Sequence, residues 1–465
     1  MDRQRAIWYS IVMKNLHIVL VLAAACAAQA VIAGGDALSS VTSLKLPNCE
    51  ITQAEVDKDS GIASVDYVLR PGTGSFIRCS LVLPPADKWT GRFRGFGNGG
   101  AAGNVRRFTA VAQAGDAAAH TDMGSSHGMK TDDAVLDFGY RSTHLMTVTA
   151  KAMTEAYYGR KIRHSYFQGK STGGGQAIHE AERYPEDYDG ILAGVPANTR
   201  LPLHIYFFWN WRQMHDDHRT FLFSHEEFAA AEKAAFDWFA DKSPPFARGK
   251  FILDPRWTPE AEAGVLACAA KRCPSLGTPD KQARLRNMFR GPVIGGRHIH
   301  SGIPFGSSFM AAQGNQWMLY WWQALRGKSE IEDTTDADLL AMEKAWAPAF
   351  NACSGNLSAF FARGGKLLVY GGLEDSVVPY PEMIAWYERA AQQVGGRDKL
   401  AENCRLYLIP GRAHGSGKYV KGLLDEQQLL TDWLENGKRP EEVPLETRKG
   451  VAPFSIRPYP ACFAP

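Results

Sequence analysis

A five-residue run, Gly169-Lys170-Ser171-Thr172-Gly173, constrains this chain more than any other feature. It sits between the strand-like Ser165–Gln168 and a helical stretch from Gly175 to Arg183 that stops at Tyr184-Pro185. Glycines two positions either side of a serine let the backbone turn sharply, bring helix and strand together and present the hydroxyl at the apex. Such a turn needs a strand feeding directly into a helix. The surroundings supply more of the same alternation. Strands are expected at Ala63–Leu69, Phe76–Leu83, Arg92–Phe96, Ile191–Val195, Gly364–Gly372 and Leu406–Ile409, with helices at 142–158, 381–393 and 423–436. Alternation of this kind predicts an α/β fold with a mostly parallel sheet covered by helices.

A nucleophilic serine needs a base, and the base needs an orienting acid. In the corresponding chain order the acid and then the histidine follow the serine, each on a loop after a strand. Asp375 follows the strand that ends near Tyr370, with Glu374 as its neighbouring rival, and His414 follows Leu406–Ile409. The expected catalytic set is therefore Ser171, Asp375 and His414. An oxyanion hole takes two backbone N–H donors. Thr172, directly after the serine, should give one, and the glycine-rich loop 97–103 the other, from Gly99 or Gly100, with Gly100 taken as the site residue.

Rival motifs are weaker. Gly124-Ser125-Ser126-His127-Gly128 repeats the glycine–serine spacing, but no strand is evident directly before it and a capped loop follows, so Ser126 reads as a loop serine. Gly95-Phe96-Gly97-Asn98-Gly99-Gly100 fits a dinucleotide fingerprint, but no helix opens after it, so no nicotinamide cofactor is expected. His215, Asp216, Asp217 and His218, and separately His298 and His300, read as loop or helix-face residues rather than metal ligands. No cofactor or metal is expected.

The N-terminus carries Arg3, Arg5 and Lys14, an apolar run over Ile18–Ala25 and small-residue cleavage points at Ala30 and Ala33. This is the pattern of an export signal over residues 1–33, with Met13 as an alternative start, and it places the mature chain outside the cell or in the periplasm. Removal of Cys26 leaves seven cysteines, and an exported chain permits disulfides. Net charge is only +3, from 52 Lys and Arg against 49 Asp and Glu, which argues against nucleic-acid and membrane partners. Residues 199–345 change character, becoming helical and aromatic-rich, with Tyr206–Trp211 and Trp317–Trp322. They are expected as an insertion between a first core part, 34–198, and a second, 346–465, their aromatics forming either its own core or a pocket wall.

These segments resemble the tannase and feruloyl esterase family. The resemblance rests on Tyr157-Tyr158-Gly159, on Ser165 through Gly174, on Arg183-Tyr184-Pro185 through Pro196-Ala197, on Gly364–Leu367 before Asp375 and on Ile409-Pro410-Gly411 before His414. His120-Thr121-Asp122-Met123-Gly124 resembles the family's early Thr-Asp loop. The resemblance implies an α/β-hydrolase core, a lid over 199–345 and hydrolysis of small aromatic (phenolic) acid esters, feruloyl or galloyl, by a secreted serine carboxylesterase. Some relatives cleave a terephthalate half-ester. A non-catalytic or weakly active aromatic-ester binder of the same fold is the alternative. Two departures stand out. The family joins the serine and histidine loops by a disulfide, where this chain has Lys170 and Gly415. The family lid usually holds calcium in an Asp- and Gly-rich loop, a pattern absent between Asp237 and Asp254. The resemblance also pairs Cys49 with Cys79 and Cys268 with Cys273, leaving Cys353, Cys404 and Cys462 unassigned.

Overall fold

The computed structural model describes residues 37–216, 219–327, 330–331 and 333–463, so the export signal, Cys26, Asp217 and His218 lie outside the described residues. Nine strands form one mixed sheet. They are β1 (Cys49–Val56), β2 (Ala63–Leu69), β3 (Ile77–Leu83), β4 (Arg92–Phe96), β5 (Ala117–Thr121), β6 (His164–Lys170), β7 (Gly190–Gly194), β10 (Lys366–Gly372) and β11 (Cys404–Ile409). A two-residue hairpin of β8 (Val293–Ile294) and β9 (Arg297–His298) and a small sheet of β12 (Val420–Leu423), β13 (Val443–Thr447) and β14 (Ser455–Ile456) stand apart.

The spatial order is β1-β2-β3-β5-β4-β6-β7-β10-β11. The first four strands pair antiparallel, and every pairing from β5 through β11 is parallel. Strands β7 and β11 are buried along their whole length, which is why they read as unbroken apolar runs. Strand β1 is an edge strand and largely exposed. Parallel strands bring their carboxyl ends to one rim of the sheet, and that rim is where α/β folds bind ligands. The α/β class and mostly parallel sheet expected from the sequence are present.

Between β7 and β10 the chain builds helices at Arg200–Met214, His225–Trp238, Pro259–Arg272, Pro279–Arg290, Trp317–Leu325 and Asp336–Phe350. The last of these carries the helical segment past residue 345. Among the described residues no helix is long and apolar enough to cross a membrane.

All seven described cysteines are free thiols, and the two expected pairings are not formed. Cys49 faces Leu69 across β1–β2, whereas Cys79 faces Tyr67 across β2–β3. One strand therefore separates them, roughly 10 Å at ordinary strand spacing, and a disulfide requires Cα atoms within about 7 Å. Cys268 lies inside a helix and Cys273 caps its end, where the Cys273 sulfur sits 3.2 Å from Ser275 Oγ.

Candidate active site

Ser171 stands between β6 and the helix Thr172–Arg183 with φ 62° and ψ −117°, a conformation L-residues avoid. The flanking glycines explain how it is held. A Cβ on Gly169 would come within 2.3 Å of the Gly173 backbone, and one on Gly173 within 2.9 Å of Asn98 O. A Cβ on Gly97 would meet Gly173 Cα at 2.5 Å. The serine turn and the glycine loop are thus packed backbone to backbone. Further left-handed non-glycine residues surround them: Ala102 (φ 56°), Met123 (φ 60°) and the β-branched Val195 (φ 41°). Ser171 N donates to Gly194 O, and Gly103 N donates to Asp122 O, so this strained backbone belongs to one connected region. Strain concentrated in this way marks sites where geometry is over-determined for function.

The structure distinguishes Asp375 from Glu374. His414 Nδ1 lies 2.8 Å from Asp375 Oδ2. Asp375 is fully buried, and its other oxygen accepts N–H bonds from Val377 and Val378 at 2.8 and 2.9 Å. The carboxylate is therefore fixed from two sides. Glu374 has an occluded Oε1 with no partner, and burial pushes its carboxyl up to about 8. Two residues of the helical segment lock the acid loop: the Tyr206 hydroxyl donates to Ser376 O at 2.8 Å, and Ser376 Oγ donates to Ser308 O at 2.6 Å. Engagement of Nδ1 leaves His414 Nε2 open. Neither that nitrogen nor Ser171 Oγ has a hydrogen-bond partner among the described residues.

Thr172 and Gly100 are joined directly, the Thr172 hydroxyl donating to Gly100 O at 2.7 Å. As the first residue of its helix, Thr172 has an amide with no intrahelical acceptor. Gly100 has φ +55° and faces open space. A network of polar side chains holds this loop. Asn98 is buried, with Nδ2 donating to Thr121 O and its amide donating to Gln176 Oε1, each at 2.8 Å. Buried Asp122 takes Arg78 Nε at 2.9 Å, and Arg78 Nη2 donates to Gly103 O at 2.7 Å. Ser126 sits on an exposed loop 3.2 Å from His127 Nδ1, with no strand–helix turn around it. The glycine loop after β4 runs without helix to Thr109, so the dinucleotide pattern lacks the helix it needs.

Lys170 and Gly415 leave the serine and histidine loops without a covalent link. Lys170 Nζ instead lies 2.7 Å from Glu426 Oε1 and 5.7 Å from the centre of the Tyr370 ring. The Tyr370 hydroxyl donates to the same carboxylate oxygen at 3.0 Å. Glu426 opens the helix Glu426–Asn436 beyond the histidine loop, so this cluster ties β6, β10 and that helix together.

The segment 237–254 does not fit a calcium ion. Asp237 is engaged by Arg272 and Asp254 by Arg256, and no group of three or more His, Cys, Asp or Glu side chains is gathered among the described residues. His215 Nδ1, His298 Nε2 and His300 Nδ1 are each within 2.9 Å of a backbone carbonyl.

A serine on a strained strand-to-helix turn at the carboxyl rim of a mostly parallel sheet, with a His–Asp pair on the loops that follow later strands of the same sheet, fits the α/β-hydrolase class. Relatives narrow it. The family described as tannase and feruloyl esterase matches residues 68–237 and 324–464. The chain is 28% identical over 445 residues to feruloyl esterase B of Aspergillus niger, covering 85% of this chain and 82% of that protein. It is 28% identical over 435 residues to a probable feruloyl esterase of Arthroderma benhamiae, covering 82% and 78%. In fold it is similar to the crystal structure of feruloyl esterase B from Aspergillus oryzae, with a TM-score of 0.76, 20% identity and coverage of 91% of this chain and 96% of that one. The chain belongs to the tannase and feruloyl esterase family and is a carboxylic ester hydrolase.

Proposed function

We propose that this protein is a secreted serine esterase that hydrolyses esters of aromatic acids through an acyl-enzyme. The observation that carries the reading is the His414 Nδ1–Asp375 Oδ2 contact of 2.8 Å, on the same sheet rim as the strained Ser171. Asp375 fixes the imidazole tautomer, so the open nitrogen is Nε2. That nitrogen takes the Ser171 proton as Oγ attacks the ester carbonyl, and returns it to the departing alcohol. Water then enters, His414 removes its proton, and the acid leaves. The Thr172 and Gly100 amides stabilise the oxyanion.

The segment 199–345 acts as the lid. Residues 1–33 direct export, and the near-neutral charge suits a small-molecule ester rather than a polymer of phosphates. Relatives named feruloyl esterases support aromatic acyl groups. The test is a panel of methyl ferulate, methyl gallate and short aliphatic nitrophenyl esters. The aromatic esters should give the higher kcat/KM. Preference for the aliphatic esters would overturn the substrate class, and binding of aromatic esters without any turnover would favour the non-catalytic alternative.

A further inference from the structure

The chain that leaves β7 reaches both halves of the candidate site. Gly194 O accepts the Ser171 amide at 3.0 Å, and Ala197 donates its own amide to Ser171 O at 3.1 Å. Between them Val195 donates its amide to Tyr370 O of β10 at 2.6 Å. The helix Arg200–Met214 follows, and its Tyr206 returns to the loop that joins β10 to the helix Tyr380–Val394, the loop that carries Asp375. One short stretch, 194–206, therefore touches the serine turn, the strand before the acid and the acid loop itself.

Tyr206 meets that loop at one particular peptide. Its hydroxyl donates to Ser376 O at 2.8 Å. The Ser376 carbonyl and the Val377 amide belong to the same planar peptide group, and the Val377 amide donates to Asp375 Oδ1 at 2.8 Å. Asp375 Oδ2 in turn lies 2.8 Å from His414 Nδ1. A chain of hydrogen bonds thus runs from the Tyr206 hydroxyl through one rigid plane and one carboxylate to the imidazole, and bonds in such a chain polarise one another. Tyr206 is fully buried, and burial, then the Asp375 charge, pushes its hydroxyl well above the ordinary range, so it keeps the proton it donates. Its ring packs against that of buried His300, with centres 4.9 Å apart. The other acids beside the loop are engaged elsewhere, Glu374 at the Ile252 backbone and Glu382 at the Ser301 amide.

We propose that Tyr206 is a positioning residue of the ester site, which acts through the 376–377 peptide to fix the carboxylate that orients His414, and so ties the inserted helical segment to the rate of acyl transfer. The proposal rests on the esterase reading above. Asp375 is fully buried and does not reach substrate. A tilt of the 376–377 plane therefore acts on the reaction only by loosening the imidazole. Binding of the ester is left alone, and the effect falls on kcat rather than KM. The seven described cysteines are all free, so hydrogen bonds of this kind, not a covalent brace, hold the catalytic loops together.

Tyr206→Phe tests this, since it keeps the ring and removes one hydroxyl. Its kcat on methyl ferulate should fall roughly tenfold, the scale of one lost hydrogen bond in a polarised chain. Its KM should stay within about twofold of the wild type. Tyr67→Phe is the matched control. The Tyr67 hydroxyl is also buried and also donates to a backbone carbonyl, Met146 O at 3.2 Å, but on the antiparallel side of the sheet. That variant loses a comparable bond and should keep the wild-type kcat. The proton between His414 Nδ1 and Asp375 gives a second readout, a low-field 1H NMR signal that should move to higher field in Tyr206→Phe and stay in place in Tyr67→Phe. An unchanged kcat in Tyr206→Phe, an equal loss in Tyr67→Phe, or a loss confined to KM would overturn the proposal. Should the wild type hydrolyse no ester, the esterase reading fails on its own, and the low-field signal still decides the positioning. Displacement in Tyr206→Phe alone supports it, and a signal that is the same in all three proteins overturns it.

Discussion

Lys170 Nζ and Glu426 Oε1 lie 2.7 Å apart, directly beside the strained serine. The pair joins the residue before Ser171 to the helix that follows the histidine loop. Lys170 is 55% exposed and Glu426 19%, so the contact is partly screened by water. Lys170→Met or Glu426→Gln should cost no more than about 1 kcal/mol of stability. Their effect on kcat should be the larger one, because the pair limits motion between β6 and the histidine side. Urea titration and steady-state kinetics separate the two effects. The stability difference from wild type should shrink at about 1 M salt, because salt weakens an ion pair whose lysine is more than half exposed.

Gly97 and Gly173 touch backbone to backbone, and Gly97→Ala would place Cβ 2.5 Å from Gly173 Cα. The glycine loop must then retreat from Thr172. Misplacement by about 1 Å at a reacting centre costs on the order of 100-fold, and kcat should fall by that much. Circular dichroism should remain native. Normal turnover by Gly97→Ala would show that this loop takes no part in the reaction.

Glu374 is a carboxyl held up to about 8 by burial. Its proton is bound more tightly in the native state than in the unfolded chain. Stability from this group is therefore full below the ordinary carboxylate range and is lost as pH rises from about 4.5 through about 8. The loss is at most on the order of 1 kcal/mol per pH unit. Glu374→Gln stays neutral, so its stability relative to wild type should improve steadily between pH 5 and 8. A constant difference across that range, measured by chemical denaturation, would contradict a buried neutral acid here.

His120 and His179 predict the opposite slope. Burial pushes His120 down to about 4 and His179 down to about 3, and neighbouring Arg106 and Arg183 act in the same direction. Both bind protons more weakly when folded. Their contribution is present above about 6.5 and is lost as pH falls toward 4. Melting temperature should decline across that interval, and NMR titration should show both rings neutral at pH 6.

The serine turn was legible because its chemistry is local. Two glycines, a strand before and a helix after are all within fifteen residues of Ser171. Asp375 and His414 were legible because each follows an apolar strand buried on both faces, the most readable kind. Strand β5 was not, since Ala117-Ala118-Ala119 carries no β-branched or aromatic signal and is recruited by pairing with β3 and β4. The support of the glycine loop by Asn98, Gln176, Asp122 and Arg78 joins residues up to 78 positions apart, which no spacing rule reveals. The expected disulfides failed for a related reason: proximity in sequence or family pattern does not set the Cα separation that a bridge requires.

Ser171 as the nucleophile is the central claim, and covalent labelling tests it most directly. Wild-type protein treated with a fluorophosphonate should gain one adduct, mapped by mass spectrometry to Ser171. Ser171→Ala should take up no label and should hydrolyse methyl ferulate no faster than the background left by binding and the oxyanion donors. Labelling at Ser126, or undiminished turnover by Ser171→Ala, would contradict the account.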